Sequence, residues 1–453
     1  MRRLVSLVIV LWTCLAVIGP PAATASPFQT SADPQVVAIA PGVTITPILT
    51  AGEALNKVFQ FTGVPDGIGI YESYPGTFEV LLNHELNAEF DDVSDSRIDH
   101  LTLNASAEVT GAEYYLDGTE GYQWFCSSTL DMIRGAPWYF TGEEWIGSPK
   151  GGISIAMDAR TGEYHETPQF GKLNHENVVP VKGLDEATMW LSEDSFQNRS
   201  QAYAFFSSSF TRAIEGHGDF TVFVPNDPGD GDPSANDLAK GETMGGRFVT
   251  IPNVEQYSGH ELNDVAERHM PFNFQRVEDA AVDPNHPGVV YIADTGSNRK
   301  GSDNVSGRLY KFTMDPANPR RARLEVVLDG NAGDRILNPD NLGISETTLM
   351  IQEDHNVART RAARIWAYDL SSRHLRAIAR TDPTRAAVVD AGGRGVWETS
   401  GIVDASAFYG AGAWLLSVQA HNTTVAQQGL DLVIDSAVGE GGQLVLMTAP
   451  GTT

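Results

Sequence analysis

The 453-residue chain carries 31 Lys and Arg against 58 Asp and Glu, a formal net charge of −27, and has two cysteines. Such acidity argues against nucleic acid or anionic membranes as partners, and two cysteines cannot build a disulfide framework. It suits a protein that holds hard cations, which prefer carboxylate and carbonyl oxygen.

Residues 1–25 read as an export signal outside the fold. Arg2 and Arg3 give a basic start, Leu4 to Ile18 an apolar run, and Ala23-Thr-Ala25 a small-residue cleavage site. The run is too short and wrongly flanked for a membrane span. The arginine pair lacks the flanking residues of a good twin-arginine signal, so both export routes stay open, and the expected location is secreted or periplasmic. Cys14 falls inside the apolar run, which leaves Cys126 alone in the exported chain. A lone exported thiol is either buried and inert or held as a thiolate by metal; taken alone, the residue favours the inert reading.

Residues 26–453 read as a single domain. Short apolar or alternating runs recur between Gly, Pro, Asn and Asp: Glu79–Leu82, Gly152–Ala156, Thr188–Leu191, Gln201–Phe206, Gly246–Thr250, Val289–Ala293, Arg308–Phe312, Thr348–Ile351, Arg364–Tyr368, Ala413–Val418 and Gly442–Leu446. Strands at this spacing, without alternating helices, predict an all-β fold. A strand, acidic loop, strand unit repeats in "TMWLSEDS…QAYAFF", "VVYIADTGSN…GRLYKFTMDP" and "TLMIQEDHN…ARIWAYDLSS". That grammar predicts a β-propeller of about six blades with short helical insertions. One helix is expected over Ser258 to His269, with Ser258 as N-cap and Glu261 completing a capping box. Asp227 to Asp232 lacks the oxygen spacing of a calcium loop and reads as a solvated turn.

The stretch Met270–Arg299 holds Arg276 and Glu278 two residues apart in an extended run, hence on one face. This pair is either a structural ion pair or a cation poised beside an anion site. Other acids recur at strand ends: Glu143-Glu144, Glu193-Asp194, Asp294, Glu353-Asp354 and Glu398, with Glu85 and Glu176 each following a histidine. Inner-strand ends of a propeller converge on the central channel, where unpaired carboxylates repel and cations relieve the cost. His84 and His175 are expected to orient these carboxylates rather than bind metal. Asn83 and Asn174 read as turn residues.

On these residues the chain resembles the PhoX family of bacterial alkaline phosphatases. "DGIGIYESYPGTFEVLLNHE", "FCSS…GAPWYFTGEEW", "GKLNHENV", "LSEDS", "FQRVEDAAVDP", "NPDNLGIS…MIQED" and "WETSGIVDASAFYGAGAWLLSVQAHN" are similar to its motifs, in the same order. The resemblance implies an exported propeller with Fe3+ and Ca2+, monomeric and without stable membrane association. It also implies hydrolysis of small-molecule phosphate esters to alcohol and inorganic phosphate. It further implies Cys126, Glu144, Glu176, Asp194, Glu278, Asp354 and Glu398 as metal ligands, and Arg276 as the phosphate contact. The chain departs from the family where Ser127 to Arg134 replace glycines, where Glu193-Asp194 follow Ser192, and where Val277 and Asp279 flank Glu278. Two alternatives stand beside this one: a calcium-dependent, lactonase-like propeller hydrolase, and a non-catalytic calcium-stabilised scaffold.

Overall fold

The computed structural model describes residues 26–87, 95–195, 199–229, 231–298, 302, 304–354, 361–384, 397–421 and 440–453. The expected export signal, with Cys14, lies outside the described residues.

The strands run β1 (Val36–Ala38), β2 (Thr44–Thr50), β3 (Pro65–Tyr74), β4 (Thr77–His84), β5 (Arg97–Asn104), β6 (Val109–Leu116), β7 (Thr129–Ile133), β8 (Ala136–Gly142), β9 (Ser154–Asp158) and β10 (Tyr164–Glu166). They continue with β11 (His175–Val181), β12 (Ala187–Glu193), β13 (Tyr203–Ser207), β14 (Asp219–Pro225), β15 (Thr243–Thr250), β16 (Val277–Val282), β17 (Val289–Asp294), β18 (Arg308–Asp315) and β19 (Asn318–Asp329). The last are β20 (Pro339–Ile344), β21 (Thr348–Glu353), β22 (Arg364–Asp369), β23 (Leu375–Thr381), β24 (Glu398–Asp404), β25 (Ala413–Ala420) and β26 (Gly441–Thr448).

Each short hairpin connection turns the chain back on itself, so consecutive strands pair antiparallel. β3 to β6 and β7 to β10 make two four-stranded sheets. β20 to β23 make a third, extended by β1, and β24 to β26 a fourth, completed by β2. The fifth has nine strands, because β15 pairs with β14 on one side and β19 on the other, joining β11–β14 to β16–β19. Its two end strands, β11 and β16, lie side by side. The first strand of each meander touches the next around a ring: β3 to β7, β7 to β11, β11 to β16, β16 to β20, β20 to β24, and β24 back to β3. The architecture is all-β and propeller-like. β2 on β26 staples the beginning of the described chain to its end.

Apolar side chains fill the gaps between sheets. Ile68, Val80 and Leu101 meet Leu415 and Leu444, while Leu309 and Ile351 meet Trp366. Inside the nine-stranded sheet Trp190, Phe223, Phe248 and Phe312 interlock, with Trp190 and Phe312 centroids 4.8 Å apart. Burying each such side chain contributes roughly 2–3 kcal/mol. The expected helix forms over Gly259–Glu267, capped by Ser258 and Glu261 as the sequence predicts. The stretch around Asp227 is an exposed turn, where Asp227 Oδ1 accepts from Gly229 N–H at 3.0 Å. No helix among the described residues is long and apolar enough to cross a membrane.

Candidate metal centre

One local distortion, repeated, builds the site. In β3, β11, β16 and β20 the ladder opens on a paired residue and then slips: after Pro65↔His84, His175↔Glu193, Val277↔Asp294 and Pro339↔Glu353. In β24 the slip follows Thr399↔Val418. Each slip inserts one residue into the inner strand, a β-bulge, which re-aims side chains at the rim of a sheet. Asp66, Glu176, Glu278 and Asp340 stand at the bulges. Glu85, Asp194, Asp354 and His421 come just beyond the ends of the second strands. Phe125 bridges to Glu143, and the next residues, Cys126 and Glu144, lie with Sγ 3.0 Å from Oε2.

These side chains enclose a cavity of about 250 Å³ lined by Asp66, Glu85, Trp124, Cys126, Glu144, Glu176, Arg276, Glu278, Asp340, Asp354, Glu398 and His421. Of the residues singled out from sequence, Cys126, Glu144, Glu176, Glu278, Asp354, Glu398 and Arg276 all face it. Asp194 sits behind Arg276, accepting from Nε at 2.8 Å and Nη2 at 2.5 Å. Arg276 Nη2 also lies 2.9 Å from Glu278 Oε1, so the pair expected from sequence forms.

Paired acids divide their work by strand alternation. The first of each pair faces the sheet and ties backbone. Glu143 accepts from the N–H groups of Gln123, Gly152 and Ile153. Glu353 accepts from Leu337 N–H and Trp366 Nε1–H. Asp294, expected among the channel acids, belongs to this structural class instead. It accepts from the N–H groups of Gln275, Arg276 and Gly296 at 3.0–3.1 Å and so fixes the backbone beneath Arg276.

Two expectations about neighbours are corrected. His84 binds the Gly63 carbonyl and Asp99, and His175 the Gly171 carbonyl. Burial pushes the His175 pKa down to about 4, so it stays neutral. Neither ring reaches a channel carboxylate; both hold their own sheets. Asn83 is a buried residue of β4, not a turn residue. Its amide donates to the Cys126 carbonyl and Thr141 Oγ1, both at 2.7 Å, and its carbonyl accepts from Tyr139.

Asp66, Asp340 and His421 were not picked out from sequence; Glu85 was noted there only as a channel acid following a histidine, not as a ligand. Asp66 accepts from Gly401 N–H at 3.2 Å and Gln419 Nε2 at 3.1 Å. The same Gln419 amide donates to Glu85 at 2.8 Å. Their sequence signal is an acid, one polar or small residue, then aliphatics: Asp66-Gly-Ile and Asp340-Asn-Leu, in step with Glu176-Asn-Val.

Electrostatically the cavity is crowded. Burial, then the Glu176, Asp194 and Glu278 charges, push the Glu144 pKa well above the carboxylate range. Burial and Glu278 do the same to Glu176. Asp66 is pushed up to about 8 by burial and Glu85. Burial and then Glu144 raise the Cys126 thiol. Bound cations would restore the charged forms at neutral pH. The donor set fits them: overlapping triads run Asp66–Glu85–Cys126, Cys126–Glu144–Glu176, Glu144–Asp194–Glu278, Glu176–Glu278–Asp340 and Asp340–Asp354–Glu398, each with ligand atoms within 4.8 Å of one another. Two buried oxygens behind the lining residues, Asp194 Oδ1 and Gln419 Oε1, have no hydrogen-bond partner among the described residues. All-oxygen triads suit calcium, whereas the sulfur end suits a transition metal.

Neither a family model nor a curated protein sequence matches the chain. Solved structures do. Pseudomonas fluorescens PhoX in complex with vanadate superposes with a TM-score of 0.62 at 13% identity, over 94% of this chain and 97% of that one. The fold is PhoX-like. A protein of unknown function from Dyadobacter fermentans gives 0.48 at 8% identity, over 90% of this chain and all of that one. The periplasmic gluconolactonase of Pseudomonas aeruginosa gives 0.37 at 11% identity, over 86% and 90%. At these identities the likeness concerns fold, and for the latter two only loosely.

Proposed function

We propose that the chain is an exported, metal-dependent phosphoric monoester hydrolase of the alkaline-phosphatase type, acting as a monomer on a six-bladed propeller. The observation that carries this reading is that, among the described residues, the guanidinium of Arg276 faces a thiol and eight carboxylates in one cavity. An anionic ester would not enter so negative a pocket without cations to offset it. The solved fold neighbour, PhoX with the transition-state analogue vanadate, supports the same reading.

Cys126, Glu144 and Glu176 would hold Fe3+ at the sulfur end. Glu278, Asp340, Asp354 and Glu398 would hold Ca2+ at the oxygen end, and Asp194 would share its free-facing oxygen with Glu144 and Glu278. Bound there, the ions supply Lewis acidity toward the phosphoryl oxygens. Arg276 donates to the equatorial oxygens, where charge spreads as the ester bond breaks. Asp194 and Glu278 keep its fork turned into the cavity, and Asp294 fixes its backbone. A calcium-only lactonase site needs neither thiol nor guanidinium, so both residues favour the phosphatase over that alternative.

The test is turnover of a chromogenic phosphate ester by protein purified without chelator, paired with elemental analysis. Stoichiometric iron with calcium and chelator-sensitive hydrolysis are expected. Calcium alone with lactone turnover supports the lactonase; no turnover with any metal leaves the scaffold.

A further inference from the structure

The metal cavity has one aromatic wall. Trp124 lines it, and its half-buried ring lies 5.4 Å from that of Trp145 at an interplanar angle of 46°. Backbone geometry holds Trp124 there at a cost. Its φ is +53°, a left-handed conformation in which a non-glycine residue is strained. Two backbone hydrogen bonds enforce it: Trp124 N–H to the Leu86 carbonyl at 3.0 Å, and Glu144 N–H to the Trp124 carbonyl at 2.9 Å. Trp145 is fixed separately. A Cβ on Gly147 would meet its Nε1 at 2.5 Å, so the indole lies flush on a glycine backbone. The strained turn thus places a ring beside the ligand carboxylate Glu144 and the thiol Cys126.

We infer that Trp124, backed by Trp145, is a specificity-determining residue that stacks on planar leaving groups and selects aryl or heteroaryl phosphates over alkyl phosphates. This rests on the phosphatase reading of the same cavity. The ring touches the alcohol portion of the ester, while Arg276 and the carboxylates address the phosphoryl group. Its contribution should therefore appear in KM and depend on the leaving group.

The experiment compares phenyl phosphate with glycerol 2-phosphate in the native enzyme, Trp124→Leu and Trp124→Phe, with thermal melts confirming folding. Intrinsic reactivity of the two esters cancels when each variant is divided by the native enzyme. Trp124→Leu should lose about tenfold in kcat/KM on the aryl ester, carried by KM, and less than about twofold on the alkyl ester, with Phe restoring most of the loss. Tryptophan fluorescence of the native protein should be quenched by phenylphosphonate and not by methylphosphonate. Equal losses on both esters, or equal quenching by both phosphonates, overturn the specificity role and leave the phosphatase reading standing. Turnover of neither ester by the native enzyme overturns both.

Discussion

Arg276 places both Nε and Nη2 on a single oxygen of Asp194, Oδ2, while Asp194 Oδ1 is buried with no hydrogen-bond partner among the described residues. Asp194 thereby anchors the arginine through one oxygen, beside the Glu278 contact, and its other oxygen stays available to a cation. The same carboxylate joins Arg276 to the buried acidic triad it forms with Glu144 and Glu278.

Arg276→Ala should therefore lower kcat/KM on phosphate esters by about 10²–10³, the usual scale for losing one positioned donor of transition-state charge, with metal content unchanged. Loss of iron or calcium from this variant would show the arginine to be a structural partner only.

Asp194→Ala should be the more damaging change. It removes the carboxylate from a largely buried guanidinium, a change of about 3 kcal/mol or more, and it deletes a ligand position. Reduced metal content and a lowered melting temperature together check this. Asp194→Asn should recover stability better than metal content.

Cys126→Ser should lose iron and retain calcium, because a hydroxyl is a poor thiolate substitute while the all-oxygen triads are untouched. Full activity in this variant would point to the calcium-only alternative.

One cavity acid, Asp66, and one sheet-facing acid, Glu193, set a pH dependence in metal-free protein. Folded-state pKa values of about 8 for Asp66 and Glu193, both raised mainly by burial, exceed the usual 3.8 and 4.5. A raised carboxyl binds its proton more tightly when folded. Its stability contribution is therefore complete below about pH 4 and disappears as pH rises through about 8. The chelated protein should melt at a temperature on the order of 5 °C lower at pH 9 than at pH 5. Added metal should narrow the gap, and melting curves across that range with and without cations check it.

Close strand approach at the channel gives a stability test of the backbone that holds Asp66. A Cβ on Gly401 would meet the Asp66 carbonyl oxygen at 2.2 Å, where backbone cannot yield cheaply. Gly401→Ala should cost roughly 1–3 kcal/mol, measured by chemical denaturation.

The sequence showed its second and third strands clearly. β12, β17 and β21 alternate or run apolar because both faces pack against neighbouring sheets. The inner strands β3 and β20 were less visible: each opens on proline and acid, and the bulge interrupts their period. The same interruption hid Asp66 and Asp340, whose neighbours Gly67 and Asn341 resemble turn residues. Asp294 misled in the opposite direction, since a strand-end acid that ties backbone and one that faces the channel have the same local sequence. What separates them is the parity of one residue, fixed by pairing rather than by composition. Cys126 could be joined to its partners only through the family resemblance; its contact with Glu144 depends on a bridge, Phe125 to Glu143, that no local spacing announces.

Gly401 N–H reaches Asp66 across 335 positions of the chain, and β2 meets β26 only when the ring closes. The ion pocket is thus among the last things a growing polypeptide can complete, since no partial set of sheets encircles it. On the proposed function, cation uptake would report that assembly has finished, and a truncated or misassembled chain would be left with repelling acids and no latch.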